Sequence, residues 1–572
     1  MNIKQFLPAI DWLSTYNTTQ FKGDLSAGLT VGVMLIPQGM AYAMIAGLPP
    51  IYGLYAATLP LIIYALLGTS RQLAVGPVAI VSLLTAAGVG TLAEGGTETY
   101  IMLAITLAFM VGMIQFLLGL FRLGFLVNFL SHPVISGFTS AAALIIGLSQ
   151  LKHLLGVSMA RTNYVHEILM QAFEKISDIN WATFAIGIGG IVLIKVIKKI
   201  SANIPSQLVA VIFGIMVVMG FGLTEQGVKI VGEVPSGLPS FMLPDFSRAT
   251  LQSLFPIALA IALVSFMESI AVAKSIQAKH KDYEIVSNQE LIALGLANVG
   301  GSFLQSYPVT GGFSRTAVND QAGAKTGVAS IISALLIVLT LLFLTPLFYY
   351  LPQAILASVI MVAVFGLIDL QEAKHLWHAN RTDFWLLVAT FIGTLVLGIE
   401  EGIGIGVLLS LAMILYRTSR PHIAELGKIP NSNFYRNIDR FEEVEQRKDI
   451  LIMRFDAQLY FANSSFFKEN INAYAARKGA DLNTIILEFA SVNNLDSSAA
   501  HTLSELVTDY KDKGVTFLFS RVKGPVRDAM EKSHLIEKIG KQHFFMSIQA
   551  AVDFVDKKGN PSELEAYILQ TN

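Results

Sequence analysis

The 572-residue sequence contains no cysteine, so disulfides, thiolate metal sites and thiol nucleophiles are excluded, although compartment is not decided by this. Charge is also scarce. Asp, Glu, Lys and Arg make up 14% of the chain, where a soluble protein would carry about 25%. The formal net charge of -1 provides no bulk field to attract nucleic acid or an acidic partner. The glycine-rich phosphate loops that would argue for nucleotide hydrolysis are missing as well, and no catalysis is expected.

What is abundant is apolar sequence: 53% of residues are hydrophobic and the mean hydropathy is +0.58. Up to about Tyr416 long apolar runs alternate with short polar breaks, and beyond Arg420 the composition is that of a soluble domain. A polytopic membrane domain followed by a soluble one is therefore expected. Apolar segments of spanning character begin near Leu25, Ile51, Ile101, Val134, Ala182, Leu208, Phe255, Leu291, Ser330, Ile355, Phe384 and Ile403. Stretches near Pro77–Ala87 and Ser314–Asn319 are too short or too polar to span alone, so the expectation is about fourteen elements, twelve full and two interrupted. The A-Y-A at Ala41–Ala43 imitates a signal-peptidase site. No compact basic region precedes it and apolar sequence continues past it, so no cleavage is expected.

Lysine and arginine placement supports this count. Alternate loops carry Arg71, Arg122, Lys195 with Lys198 and Lys199, then Lys274, Lys279 and Lys281, Lys325, and Lys374 with Arg381; the chain exits at Arg417 and Arg420. The intervening short loops, at 47–50, 91–99, 347–352 and 398–401, have neither residue. The positive-inside rule then places both termini in the cytoplasm.

Two Gly/Pro-interrupted segments, "VGPVAIVSL" around Pro77 and "SYPVTGGFS" around Pro308, occupy corresponding places in two halves. Pro77 follows the buried-looking Gln38 by 39 residues, and Pro308 follows Glu268 by 40. With seven elements per half, the second half enters the membrane from the opposite side, which makes an inverted repeat. Non-helical backbone at membrane depth must line a cavity or be buried in protein. A half-helix starting there points its amides and positive dipole end into that cavity, which suits an anion. Arg315 in "TGGFSRTAVND" adds a full charge, and an intramembrane arginine costs from about 2.5 to over 10 kcal/mol, so it is rarely decorative. Either it binds substrate or it forms a packing pair with Glu268, and one cycle can contain both.

These motifs, "LPQGMAYAMIAGLPPIYGLYAATLP", "GTSRQLAVGPVAIVSLL" and "TGGFSRTAVND", resemble the sulfate permease (SulP) family of anion transporters, and the resemblance covers essentially the whole chain. It implies a polytopic α-helical membrane protein, a 7+7 inverted repeat with two half-helices in which a core moves against a gate, plus a C-terminal α/β STAS domain. Carried over, the anion pocket uses Gln38 and Tyr42, the half-helix start at Gly76, Pro77, Val78 and Ala79, and Ser314 with Arg315. Tyr42 could instead be a core aromatic, Gln38 could recap backbone freed by Pro37, and Ser314 could back-bond within its helix. Val78 falls where prestin-like relatives place a phenylalanine.

Glu268 is the expected coupling residue. Deprotonated, it would pair with Arg315 and close the site; protonated, it would free Arg315 for the anion. Sodium is the alternative coupling ion, with Ser265, Ser269 and Thr310 as ligands. No other cofactor or metal is expected. Importing a dianion against 100 mV costs about 4.6 kcal/mol, so uptake needs coupling. Proton-coupled sulfate import is thus the first reading. The others are a sodium-coupled bicarbonate or dicarboxylate transporter, an exchanger, and a membrane-anchored STAS signalling protein.

From Asp449 the pattern becomes βα, in "ILIMRFDAQLYFAN", "NTIILEFASVNNLDSSAAHTL" and "GVTFLFSRVKGPVRDAM". This resembles a STAS domain, in which Ser497 or Ser498 would be the phosphorylated serine; the alternative is that Asp496 or Ser497 caps a helix. Expected boundaries are 1–420 for transport, 421–448 for a linker, 449–556 for STAS and 557–572 for a tail. A homodimer in the cell membrane is expected.

Overall fold

A computed structural model describes residues 7–125, 131–160, 162, 164–200, 205–280 and 282–557. Lys281 and nearly all of the expected tail, 558–572, lie outside the described residues. The chain divides into Met1–Ser410 and Leu411–Asn572.

The first unit is helical. Helix α1 (Thr18–Ile45) starts at a capping box, Asn17 accepting from Gln20 N while the Gln20 side chain accepts from Asn17 N, and it runs unbroken through Ala41–Ala43. The second span is broken into α2 (Ile51–Tyr55) and α3 (Leu59–Leu67), a third interruption that the apolar pattern did not reveal. Pro60 near the start of α3 has no amide to continue a ladder. Strand β1 (Val75–Gly76) leads to α4 (Ala79–Gly90), and α5 (Glu98–Leu120), α6 (His132–Ser149), α7 (Trp181–Ile200) and α8 (Ser206–Phe221) complete the first half. The second half repeats the order: α9 (Arg248–Gln277), α10 (Ser287–Ser302), β2 (Thr310–Gly311), α11 (Phe313–Gln321), α12 (Val328–Leu339, continuing through tighter and wider turns to Phe348), α13 (Gln353–Phe365), α14 (Arg381–Leu397) and α15 (Ile399–Ser419). Counting the broken pair as one span, these are the fourteen elements of a 7+7 inverted repeat, α4 and α11 being its half-helices.

Packing divides these helices into two groups. Helices α1 to α5 pack chiefly with α9 to α12, and α6 to α8 with α13 and α14, the two groups meeting where α8 and α13 lie against α1. Lipid tails are as apolar as leucine, so close packing must supply the cohesion. It does so where α5 crosses α10: a Cβ on Gly112 would stand 2.6 Å from Gly295 O, and one on Gly295 would stand 2.5 Å from Phe116 N. Two buried carboxylates tie the core's connecting loops. Asp24 accepts from Lys325 N, Thr326 N and Thr326 Oγ1, and Glu290 accepts from Thr69 N, Ser70 N, Thr69 Oγ1 and Tyr64 OH.

In the second unit, strands β3 (Ile423–Lys428), β4 (Tyr435–Asn437), β5 (Ile450–Phe455), β6 (Thr484–Glu488), β7 (Thr516–Ser520) and β8 (Phe544–Phe545) form one sheet in the order β4-β3-β5-β6-β7-β8. From β5 to β8 the strands are parallel, and β3 is antiparallel to both its neighbours. Helices α16 (Ser464–Lys478), α17 (Ser497–Lys511) and α18 (Gly524–Lys532) cover one apolar face, and α19 (Ile548–Asp556) covers the other. The stretch 421–448, expected as a linker, supplies β3 and β4. Glu425 hid β3 from the apolar pattern: it is buried, with a salt bridge of 2.8 Å to Lys478.

Candidate functional site

The two interrupted segments meet. Strands β1 and β2 pair antiparallel, Val75 opposite Gly311 and Gly76 opposite Thr310, and Gly312 N donates to Ala74 O at 3.1 Å. Backbone that would otherwise be stranded at membrane depth is thereby satisfied. The half-helices leave this pair directly: α4 begins after Val78 and α11 after Gly312, and neither start has a side-chain cap. The first-turn amides of both helices therefore remain available to an anion.

The crossing is held from behind. Asn298 Nδ2 donates to Val309 O at 3.0 Å and its Oδ1 accepts from Val309 N at 2.8 Å. Gln115 donates to Ser265 Oγ at 2.8 Å, and Asn298 donates to Gln115 Oε1 at 3.2 Å. Tyr307 OH lies 3.1 Å from Ser82 Oγ. Of these supporting residues only Ser265 was singled out from sequence, and for a different role; Ser82, Gln115, Asn298 and Tyr307 were not. Gln115 and Asn298 are polar residues in apolar helices, which is the signal that could have found them.

Arg315 is 2% exposed. Its Nη1 donates to Pro77 O at 2.5 Å, tying one half-helix to the start of the other, while Nε and Nη2 are buried with no protein hydrogen-bond partner. The guanidinium lies close against two glycines. A Cβ on Gly312 would stand 3.0 Å from Nη2 and 3.2 Å from Val78 Cγ1, and one on Gly76 would stand 3.4 Å from Nη2. Gly76 also has φ +151, a conformation that side chains disfavour.

Tyr42 and Glu268 are close enough to Arg315 to interact with it electrostatically, and Gln38 lies one turn before Tyr42 on the same face of α1. Gln38 is buried and its Oε1 has no partner; Oε2 of the half-buried Glu268 is likewise unpartnered. Among the described residues no ion pair within 4.0 Å joins Glu268 to Arg315, so the packing pair is not formed. Ser314 stands apart from this group. It is exposed beside Phe313, and no back-bond from its hydroxyl into its own helix is formed.

The hydroxyls weighed as sodium ligands are brought together but already bonded. Ser269 Oγ is 2.6 Å from Thr310 Oγ1 and accepts from Gly311 N, while Thr310 Oγ1 donates to Ser265 O at 2.7 Å. In the soluble unit Asp496 caps α17, accepting from Ala499 N at 2.8 Å. Ser497 and Ser498 are exposed in its first turn.

Two opposed half-helices on a crossed strand pair, with charge buried between them, define a membrane transporter built on an inverted repeat. A family model for the sulfate permease family matches residues 21–390, and one for the STAS domain matches 442–551. Over 582 residues the chain is 40% identical to sulfate transporter 4.1, chloroplastic, of Arabidopsis thaliana, covering 98% of this chain and 84% of that one. It is 35% identical over 577 residues to high affinity sulfate transporter 2 of Stylosanthes hamata, covering 96% and 86%. The solved structure of the murine anion transporter Slc26a9 in its inward-facing state superposes with a TM-score of 0.89 at 27% identity, covering 97% of this chain and 94% of that one. The transmembrane domain of the cyanobacterial bicarbonate transporter BicA shares the fold, with a TM-score of 0.60 at 24% identity over 69% of this chain and 98% of that one. The chain belongs to the sulfate permease family. It is a multi-pass membrane anion transporter with a STAS domain, not an enzyme.

Proposed function

We propose that the protein imports sulfate with protons, the anion being held between the two half-helix N-termini while the core helices move against the gate helices. The observation that carries this reading is Arg315: a buried guanidinium with two unpartnered nitrogens beside two uncapped helix starts. A buried cation without a counter-charge is costly, and an oxyanion would satisfy its nitrogens bidentately. The relatives named as sulfate transporters favour sulfate among the oxyanions.

Glu268 supplies the coupling. A carboxylate there must either bind a proton or borrow the charge of Arg315, and switching between the two links proton movement to anion release. One proton on Glu268 leaves a sulfate moving with a net charge of −1, so electroneutral uptake requires a second proton carrier. Sodium is the less favoured coupling ion because the Ser265, Ser269 and Thr310 hydroxyls already bond within the protein. The positive-inside pattern supports cytoplasmic termini, and the cell membrane and a homodimer complete the proposal. Sulfate binding to the purified protein, followed by calorimetry, tests the site. Arg315→Ala should weaken it by about one to two orders of magnitude, the value of a charge-assisted bond. A wild-type protein that ignores sulfate but binds bicarbonate would refute the substrate.

A further inference from the structure

The second unit contains a cationic pocket that transport does not use. A cavity of about 410 Å³ is lined by His422, Arg436, Arg440, Phe441, Arg454 and Asp456. Three guanidiniums thus face one carboxylate. That carboxylate is already committed: Asp456 accepts from Arg454 Nε at 2.6 Å and Nη2 at 2.9 Å, and lies 2.8 Å from His422 Nδ1. Although partial burial opposes ionisation, these bonds hold the Asp456 carboxyl below its ordinary range. It therefore stays charged and fixes Arg454 and His422 in place. Arg436, on β4, and Arg440, in the turn after it, are exposed and form no ion pair among the described residues. They are the free cations of the pocket.

The pocket's place in the chain says what reaches it. His422 is the third residue after Ser419, the end of α15, so it lies within roughly 10 Å of that helix end. The intervening Arg420 lies with its guanidinium 5.5 Å from the Tyr416 ring, a pairing typical of a membrane interface. Phe441, 47% exposed at the pocket, adds an apolar side chain where a soluble surface would place a polar one. A juxtamembrane cluster of arginines attracts anionic lipid, and the guanidinium fork matches phosphate.

We propose that this pocket binds the phosphate of an anionic lipid headgroup in the leaflet at which α15 ends, with Arg436 and Arg440 as its main ligands and Phe441 against the lipid. The site is independent of which anion the membrane unit carries. A lipid held there would anchor the root of the STAS domain to the bilayer and make its position depend on lipid composition.

Native mass spectrometry of the full chain in detergent, titrated with a phosphatidylinositol monophosphate and with phosphatidylcholine, tests this. Wild type should retain the phosphoinositide in preference to phosphatidylcholine. Arg436→Gln and Arg440→Gln should each weaken retention about fivefold, and together roughly 25-fold, the value of a juxtamembrane arginine on anionic lipid. Arg477→Gln, outside the pocket, should change nothing. Both pocket side chains are exposed, so the variants should melt as wild type does. Soluble inositol phosphate is the second arm. If it binds as tightly with the same arginine dependence, the phosphate site stands and the membrane source is refuted. Retention that is unchanged in the double variant overturns the proposal.

Discussion

Gly312→Ala isolates the placement of Arg315 from its charge. Gly312 has φ -99 and ψ 127, which alanine adopts without strain, so the backbone has no reason to move. The added methyl would stand 3.0 Å from Arg315 Nη2, 3.1 Å from Cζ and 3.2 Å from Val78 Cγ1. Ordinary contact requires another few tenths of an ångström. The guanidinium can yield only by stretching the 2.5 Å bond from Nη1 to Pro77 O and shifting the two free nitrogens away from the anion. Loss of a charge-assisted bond is worth about 1.5–3 kcal/mol, or roughly 10- to 150-fold in affinity. Initial rates of labelled sulfate uptake into proteoliposomes should therefore show KM raised by about that factor, with the melting temperature within a few degrees of wild type. If Gly312→Ala transports with the wild-type KM, Arg315 does not hold the anion where this geometry puts it.

Glu268→Gln fixes the coupling residue neutral, so uptake should lose its dependence on the pH gradient while sulfate binding persists; pH-driven uptake that survives intact would remove Glu268 from the coupling. Asn298→Ala leaves the buried Val309 N–H and C=O unpaired, at about 1–3 kcal/mol each. It should lower the melting temperature of the full chain, and unchanged melting would show that the crossing does not need this clamp. Asp496→Ala removes the cap of α17, which should cost about 1 kcal/mol, seen as reduced protection of the first-turn amides of α17 in hydrogen exchange. Val78→Phe places a larger side chain at the start of α4, beside Gly312, and should weaken sulfate binding, read by the same calorimetry; equal affinity would show that Val78 does not wall the pocket.

The membrane unit was legible where one physical constraint dominates. Apolar length and arginine placement located the spans, and glycine and proline in otherwise apolar runs located both half-helices. The broken second span was not legible, because Ala56 and Ala57 keep the run apolar, a single threonine is common within spanning helices, and only Pro60 marks the break. At the site, the types and spacing of Gln38, Tyr42, Glu268 and Arg315 pointed to one place. What they could not show is that Arg315 spends one nitrogen on Pro77 O, or that Ser314 is exposed beside them. Those facts depend on rotamers and on how α11 is rolled against α4. Asn298 was missed because a lone polar residue in an apolar helix, bonded to the Val309 backbone and to Gln115, belongs to no motif. In the soluble unit β5, β6 and β7 are continuous apolar runs and were easily read; β8, two residues long, was not, and β3, which carries a buried, paired glutamate, was read as linker.

The most direct test is labelled sulfate uptake into proteoliposomes under an inward proton gradient with sodium absent, comparing wild type with Arg315→Ala and Glu268→Gln. The predicted result is uptake that collapses when the pH gradient is removed, that is lost in Arg315→Ala, and that no longer responds to the gradient in Glu268→Gln. A wild-type protein that ignores sulfate under the proton gradient and takes up bicarbonate once sodium is added would contradict both the substrate and the coupling ion, leaving only the fold and the arginine site.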